Sequence, residues 1–164
     1  MDATELLKAD HQRMLSLIEQ VELAEGDSGT VFIDPEKFDR LMEALKVHTA
    51  IEERVFYPAM RTFNGAVPIV DEACRYHRRI VALLAHLSTL RRPGSLAVKR
   101  LRELKDYIRA HINEAQTELI PIARTMLSEK ALEALGRKME LLTEQRASRD
   151  SRRDGEISPL NAPR

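Results

Sequence analysis

The chain has 164 residues, 26 basic and 26 acidic side chains, five histidines, one cysteine and no tryptophan. That length suits one domain with a core large enough to fold without disulfides. A formal charge of zero argues against an extended footprint for nucleic acid or anionic membrane. The lone Cys74 excludes an internal disulfide framework and fits a reducing compartment. Met1–Glu5 has neither the basic start nor the apolar run of a signal peptide, and Ile80–Leu87, interrupted by His86, is too short to span a bilayer. The expectation is a soluble cytoplasmic domain with no nucleic-acid or membrane partner.

Strand signals are nearly absent and apolar residues recur at helical spacing. The pattern predicts a first helix over roughly Thr4 to Ala24, with Leu7, Met14, Leu15 and Ile18 inward, ended by a loop at Gly26–Gly29. Asp34-Pro35 reads as an N-cap followed by a first-turn proline. The helix it opens carries Phe38, Leu41, Leu45, Val55 and Phe56, and Pro58 should kink or end it. After a turn at Asn64-Gly65, a third helix runs from Pro68 to about Leu90 through Ile80, Val81, Leu84 and Leu87. Pro93-Gly94-Ser95 breaks the chain, with Ser95 a candidate cap. A fourth helix then passes Leu101, Leu104, Ile108 and Ile112 to about Pro121. Ser128 caps a fifth helix over roughly Glu129 to Gln145, whose stripe of Leu132, Leu135, Met139 and Leu142 must be covered by its own bundle or by a second chain in a homodimer. Residues 146–164 are too poor in apolar side chains to fold and read as a disordered tail. The fold class is therefore all-α: an up-down-up-down four-helix bundle over residues 1–145, an additional C-terminal helix included, followed by that tail.

His11, His48, His77 and His111 fall one in each long helix. At about 100° per residue, each shares a face with apolar neighbours: His11 with Leu7, Met14 and Ile18; His48 with Leu41, Leu45, Ile51 and Val55; His77 with Cys74, Ile80, Val81 and Leu84; His111 with Leu104, Tyr107 and Ile108. His86, nine residues after His77, points the other way and reads as surface. Counting from the expected helix ends puts the four inward imidazoles at similar depth. Four unrelated core histidines would each need a separate partner, at a cost on the order of 1–3 kcal/mol for every polar group left unsatisfied. A shared metal ion satisfies them together.

An internal repeat supports this. His48 to Pro58 aligns with His111 to Pro121, each placing a proline ten residues after the histidine. Glu52, one turn after His48, shares its face and can reach a metal in the core; Glu53 reads as a solvated helix charge. Imidazole with carboxylate suits iron or manganese, with zinc also open, whereas softer metals would want more sulfur. Cys74 lies on the inward face but reads as a small core residue.

Asp10-His11, His48-x-x-x-Glu52 with Tyr57-Pro58, His77, and His111 with Pro121 together resemble the haemerythrin-type HHE cation-binding family, over about residues 4–145. The resemblance implies a non-haem iron site, usually two irons bridged by carboxylates, with His11, His48, Glu52, His77 and His111 as ligands. The chain departs from it at one place. A second His-x-x-x-Glu is expected, but Ala115 stands four residues after His111 and has no donor atom. Three arrangements are open: Glu118 reaches across from the next turn, the site holds one metal or two with a single carboxylate bridge, or the site has decayed. Glu114 points further from this face. Tyr107 is a candidate phenolate or hydrogen-bond donor, with simple packing as its alternative.

Three functions follow from this reading. The first is an iron protein that binds or senses O₂, NO or peroxide at open coordination positions. The second is a peroxide-consuming enzyme with the same ligands. The third is a metal-free helical adaptor, favoured by Ala115.

Overall fold

The computed structural model describes residues 1–21, 23–25, 31–90 and 94–156. Helix α1 covers Ala3–Gln20 and α2 covers Pro35–Ile51. The second helical rod continues as a π-helical turn, Glu52–Phe56, and a short α3, Tyr57–Met60. After a 3₁₀ turn at Asn64–Ala66, α4 spans Val67–Thr89. The fourth rod comprises α5, Ser95–Glu114, a second π turn, Ala115–Leu119, and α6, Ile120–Met126. Helix α7, Glu129–Glu156, packs back on α1, α2 and the first π turn. The result is the expected all-α bundle with an additional C-terminal helix.

The caps follow from the sequence. Asp2 accepts hydrogen bonds from the Thr4 and Glu5 backbone amides, and Glu5 returns the bond in a capping box. Asp34 accepts from Glu36 and Lys37 ahead of Pro35. Ser128 Oγ accepts from the Ala131 amide. Ser95 is not a cap: Gly94 holds that position and Ser95 is the first helical residue.

Three expectations need correction. Helix α1 stops at Gln20 rather than Ala24, because Val21 turns to extended backbone. There, Leu23–Glu25 pairs antiparallel with Val31–Ile33 in a short ribbon, a conformation that branched and aromatic residues favour. Residues 26–30, where the Gly26–Gly29 loop was expected, lie outside the described residues, as does Pro93. Second, the fifth helix does not end near Gln145; its backbone continues to Glu156. Arg, Glu and Lys are poor core residues but good helix formers, so low apolar content did not forbid a helix there. Residues 157–164 lie outside the described residues. Third, Val81 is 55% exposed rather than inward, because α4 turns the Val70, Ala73, His77, Ile80 and Leu84 face to the core and leaves Val81 at its edge.

The apolar stripe of α7 is covered by its own chain: Leu132 and Met139 are buried in a cluster with Ala3, Leu7, Phe56 and Tyr57. Gly136 permits the approach, since a Cβ there would stand 2.4 Å from the Met1 carbonyl oxygen.

The core is divided. One apolar cluster includes Leu7, Ile51, Ala73 and Leu119; the other includes Met14, Leu45, Ile80 and Ile112. His11 falls between Leu7 and Met14, His48 between Leu45 and Ile51, His77 between Ala73 and Ile80, and His111 before Leu119. Burying both apolar layers therefore pins one polar layer from all four rods between them. No helix among the described residues is long and apolar enough to cross a membrane.

Candidate metal centre

His11, His48, Glu52, His77 and His111 are all buried, each at most 2% exposed. Their convergence begins with backbone. The Glu52 amide still bonds back to the His48 carbonyl, so the two side chains stay one α turn apart on the same face. Beyond that point the helix widens, with the Tyr57 amide donating to Glu52 O across a π turn. Pro58 lacks an amide hydrogen, and its ring would clash with the Arg54 carbonyl in a continuous α-helix. The extra residue of the π turn relieves the clash, and the rod ends at Met60, close to the proline as expected and clear of the histidine layer.

Glu52 is the hub. Its Oε2 lies 3.3 Å from His48 Nε2, 3.3 Å from His111 Nε2 and 3.1 Å from His77 Nε2. Its Oε1 lies 3.6 Å from His11 Nε2. His48 Nε2 and His111 Nε2 are 3.1 Å apart. One donor atom from each of His11, His48, Glu52 and His111 fits within a mutual span of 4.8 Å. His77 stands just outside that tightest group. It is joined through Glu52, and its ring centroid is 4.7 Å from that of His111.

Asp10 Oδ2 sits 2.8 Å from His48 Nδ1, and Glu53 Oε1 sits 2.9 Å from His77 Nδ1. A carboxylate on the outer nitrogen fixes the imidazole's orientation and turns Nε2 toward the centre. The Tyr57 hydroxyl donates to Glu52 Oε2 at 2.5 Å, and its ring stacks on His77 at 5.7 Å and 21°.

The protonation pattern is uneven. Burial alone would depress the His48 imidazole, but the Glu52 carboxylate and the Asp10 hydrogen bond outweigh it and raise its pKa to about 10. Burial dominates at His111, where Glu52 offsets it only in part and the pKa falls to about 4. Burial would raise Glu52, but the facing His48 and His111 hold it well below the usual carboxylate range. Burial, reinforced by Glu52, pushes Tyr57 well above its ordinary value, so it remains a neutral donor.

Much of this layer is left without hydrogen bonds. Both ring nitrogens of His11, Nε2 of His77, Nδ1 of His111 and Oε1 of Glu52 are buried without a hydrogen bond among the described residues. Folded proteins rarely orphan so many polar atoms at one point. A cation would partner the inward atoms of this set, Nε2 of His11 and His77 with Oε1 of Glu52, whereas Nδ1 of His11 and of His111 lies on the opposite edge of its ring. The spacings fit a cation: two ligands about 2.1 Å from one ion lie roughly 3.0 Å apart at a right angle and roughly 3.4 Å apart in a tetrahedron.

The other candidates stand elsewhere. Ala115 is 4% exposed and occupies the place equivalent to Glu52. Glu118 is exposed and does not reach across. Glu114 is part-buried, its carboxyl raised by burial and by the charges of Glu72 and Glu118. Tyr107 accepts a hydrogen bond from Arg79 Nη1 at 2.6 Å, with the guanidinium 5.2 Å over its ring, away from the cluster. Cys74 is half-buried beside Arg61, and burial raises its thiol. His86 is part-buried and outside the histidine cluster. Sequence reasoning undervalued Asp10 and misjudged Glu53. Their partners lie 38 and 24 residues away, beyond any local helix periodicity.

Comparison with known proteins agrees with this geometry. The chain is 24% identical over 140 residues to a DNA nickase of Nostoc sp. (strain PCC 7120 / SAG 25.82 / UTEX 2576); the match covers 81% of this chain but only 36% of the Nostoc protein. No solved structure matches. The family model for the Hemerythrin HHE cation binding domain matches residues 2–123, and the chain belongs to that family.

Proposed function

We propose that the chain is a non-haem iron protein that binds or senses O₂, NO or peroxide, with His11, His48, Glu52, His77 and His111 as ligands and a second metal position impaired by Ala115. The observation that carries this is the Glu52 carboxylate set among four buried imidazoles, with Nε2 of His11 and His77 and Oε1 of Glu52 lacking a hydrogen bond among the described residues. A histidine and carboxylate set without thiolate suits iron, with manganese and zinc as competing occupants. Iron held there supplies redox chemistry and open coordination positions for a small ligand. The chain's own residues do the rest: Asp10 and Glu53 orient His48 and His77, Tyr57 holds Glu52 Oε2, and the two apolar clusters exclude water. We place the protein in the cytoplasm, in keeping with its single thiol.

The orphaned donors disfavour the metal-free adaptor, for which they would be uncompensated. The nickase name belongs to a protein of which this chain matches about a third, and balanced charge does not favour an extended DNA contact.

The test is metal content and the optical spectrum of the purified, iron-supplied protein. We expect iron to be bound, to be lost in His48→Ala, and to be retained in His86→Ala. A full pair of irons in the wild type would show that Ala115 does not impair the second position. No metal in a correctly folded protein would refute the metal reading, and manganese or zinc in place of iron would refute the iron assignment. Steady-state peroxide consumption would move the assignment from binding to catalysis.

A further inference from the structure

Next to the metal layer, α2 and α4 part to form an open cleft of about 350 Å³, crossed at one side by Arg146 of α7. Its floor is apolar and includes Leu84 and the 55% exposed Val81. Its charged lining is lopsided: Lys46, Arg54 and Arg146 against the single carboxylate of Glu53. Glu53 is already engaged with His77 Nδ1, and Lys46 pairs with Glu43. Arg54 and Arg146 have no side-chain hydrogen bond or ion pair among the described residues, and Arg146 Nε is buried without a partner.

An orphaned guanidinium nitrogen beside apolar surface is costly unless something accepts from it. Guanidinium groups are the side chains best matched to carboxylate oxygens. A cleft with a hydrocarbon floor and unpaired arginines is complementary to a molecule that is apolar at one end and anionic at the other. We propose that this cleft binds a small amphipathic monocarboxylate, its carboxylate taken by Arg54 and Arg146 and its hydrocarbon laid over Val81 and Leu84. The site is separate from the metal ligands and does not require the metal to be present.

The probe is octanoate, titrated into the full chain with and without metal and followed by calorimetry and by amide and methyl NMR. Saturable binding of one octanoate per chain is expected, with shifts centred on Val81, Leu84 and Arg54. Octylamine and octanol, with the same hydrocarbon, should bind at least tenfold more weakly. The Arg54→Gln/Arg146→Gln double variant should lose at least tenfold in octanoate affinity while keeping its metal content, and Leu141→Asp on the exposed side of α7 should change nothing. Equal binding of octanol and octanoate would overturn the proposal, as would non-saturating uptake or shifts mapping elsewhere. Should the double variant fail to fold, the three-ligand comparison on the wild type decides alone.

Discussion

The segments His48–Pro58 and His111–Pro121 share a backbone and differ in what it carries. Each leaves the α-helix four residues after its histidine, makes one π turn, and resumes at a proline-containing turn. In the first arm the residue opening the π turn is Glu52, in contact with the histidines of all four rods. In the second it is Ala115, which offers only a methyl group to the core. The π turn persists where there is no ligand to position, so the proline, not the metal, accounts for it. The arms also differ in outer support: His48 has Asp10 on Nδ1, whereas His111 Nδ1 has no hydrogen bond among the described residues. One arm is a supported histidine–carboxylate pair and the other a lone imidazole on the same scaffold.

Removing the asymmetry from the rich side should have the largest effect. Glu52→Ala makes the first arm a copy of the second and leaves the imidazoles without their shared carboxylate. Elemental analysis after dialysis should find no stoichiometric metal. The metal-free variant should also unfold about 3–5 kcal/mol more easily in urea, the usual range when one partner of a buried ionic set is removed. Retained metal would show that Glu52 is not the hub. Ala115→Glu works from the poor side. In metal-free protein it buries a carboxylate with no partner assured, at a cost of at least about 1–3 kcal/mol. Added iron should recover that loss and raise metal content above that of the wild type. Destabilisation with no gain in metal would mean that the second arm cannot place a ligand even when given one.

The outer carboxylates sharpen the comparison at smaller amplitude. Asp10→Ala should weaken metal binding about 10–100-fold by releasing His48 from its fixed orientation. Glu53→Ala should weaken it less. Its side chain is 43% exposed against 17% for Asp10, so water more readily replaces it on His77 Nδ1. Competition with a chelator of known affinity would rank the two, and a larger loss in Glu53→Ala would reverse the assignment.

What was legible in the sequence is what helical periodicity can carry. The four rods, the inward face of each histidine, the His48–Glu52 pair and the gap at Ala115 all depend on residues within one or two turns of each other. The common depth of the four imidazoles was legible by counting from the helix ends, but individual side-chain partners across rods were not, because periodicity does not say which residue of a neighbouring helix a side chain meets. Glu53 read as a solvated charge since its own helix offers it nothing; its partner is on α4. Val81 read as core because it is one turn from His77, yet it lies at the edge where α2 and α4 separate. The end of α7 was missed for a different reason, since low apolar content bears on tertiary packing and not on helix propensity.

The two arms should also titrate against each other. His48 has a pKa raised from 6.5 to about 10 in the fold, so its stabilisation of metal-free protein is complete below pH 6.5 and is lost as pH rises toward 10. His111 is lowered from 6.5 to about 4, so the fold favours its neutral form; its contribution is present above pH 6.5 and is lost as pH falls toward 4. Their opposed slopes predict greatest stability of the metal-free protein near pH 6.5. Urea midpoints measured across pH 5–9 should trace that maximum. His48→Ala should flatten the alkaline limb and His111→Ala the acidic one. A limb that survives removal of its histidine belongs to other groups. If His48 is a ligand as proposed, metal binding displaces its proton, so affinity should rise with pH over the interval in which metal-free stability falls. A tenfold change in proton concentration then becomes up to a tenfold change in metal affinity for each proton released, an effect carried by the supported arm and not by the lone imidazole opposite it.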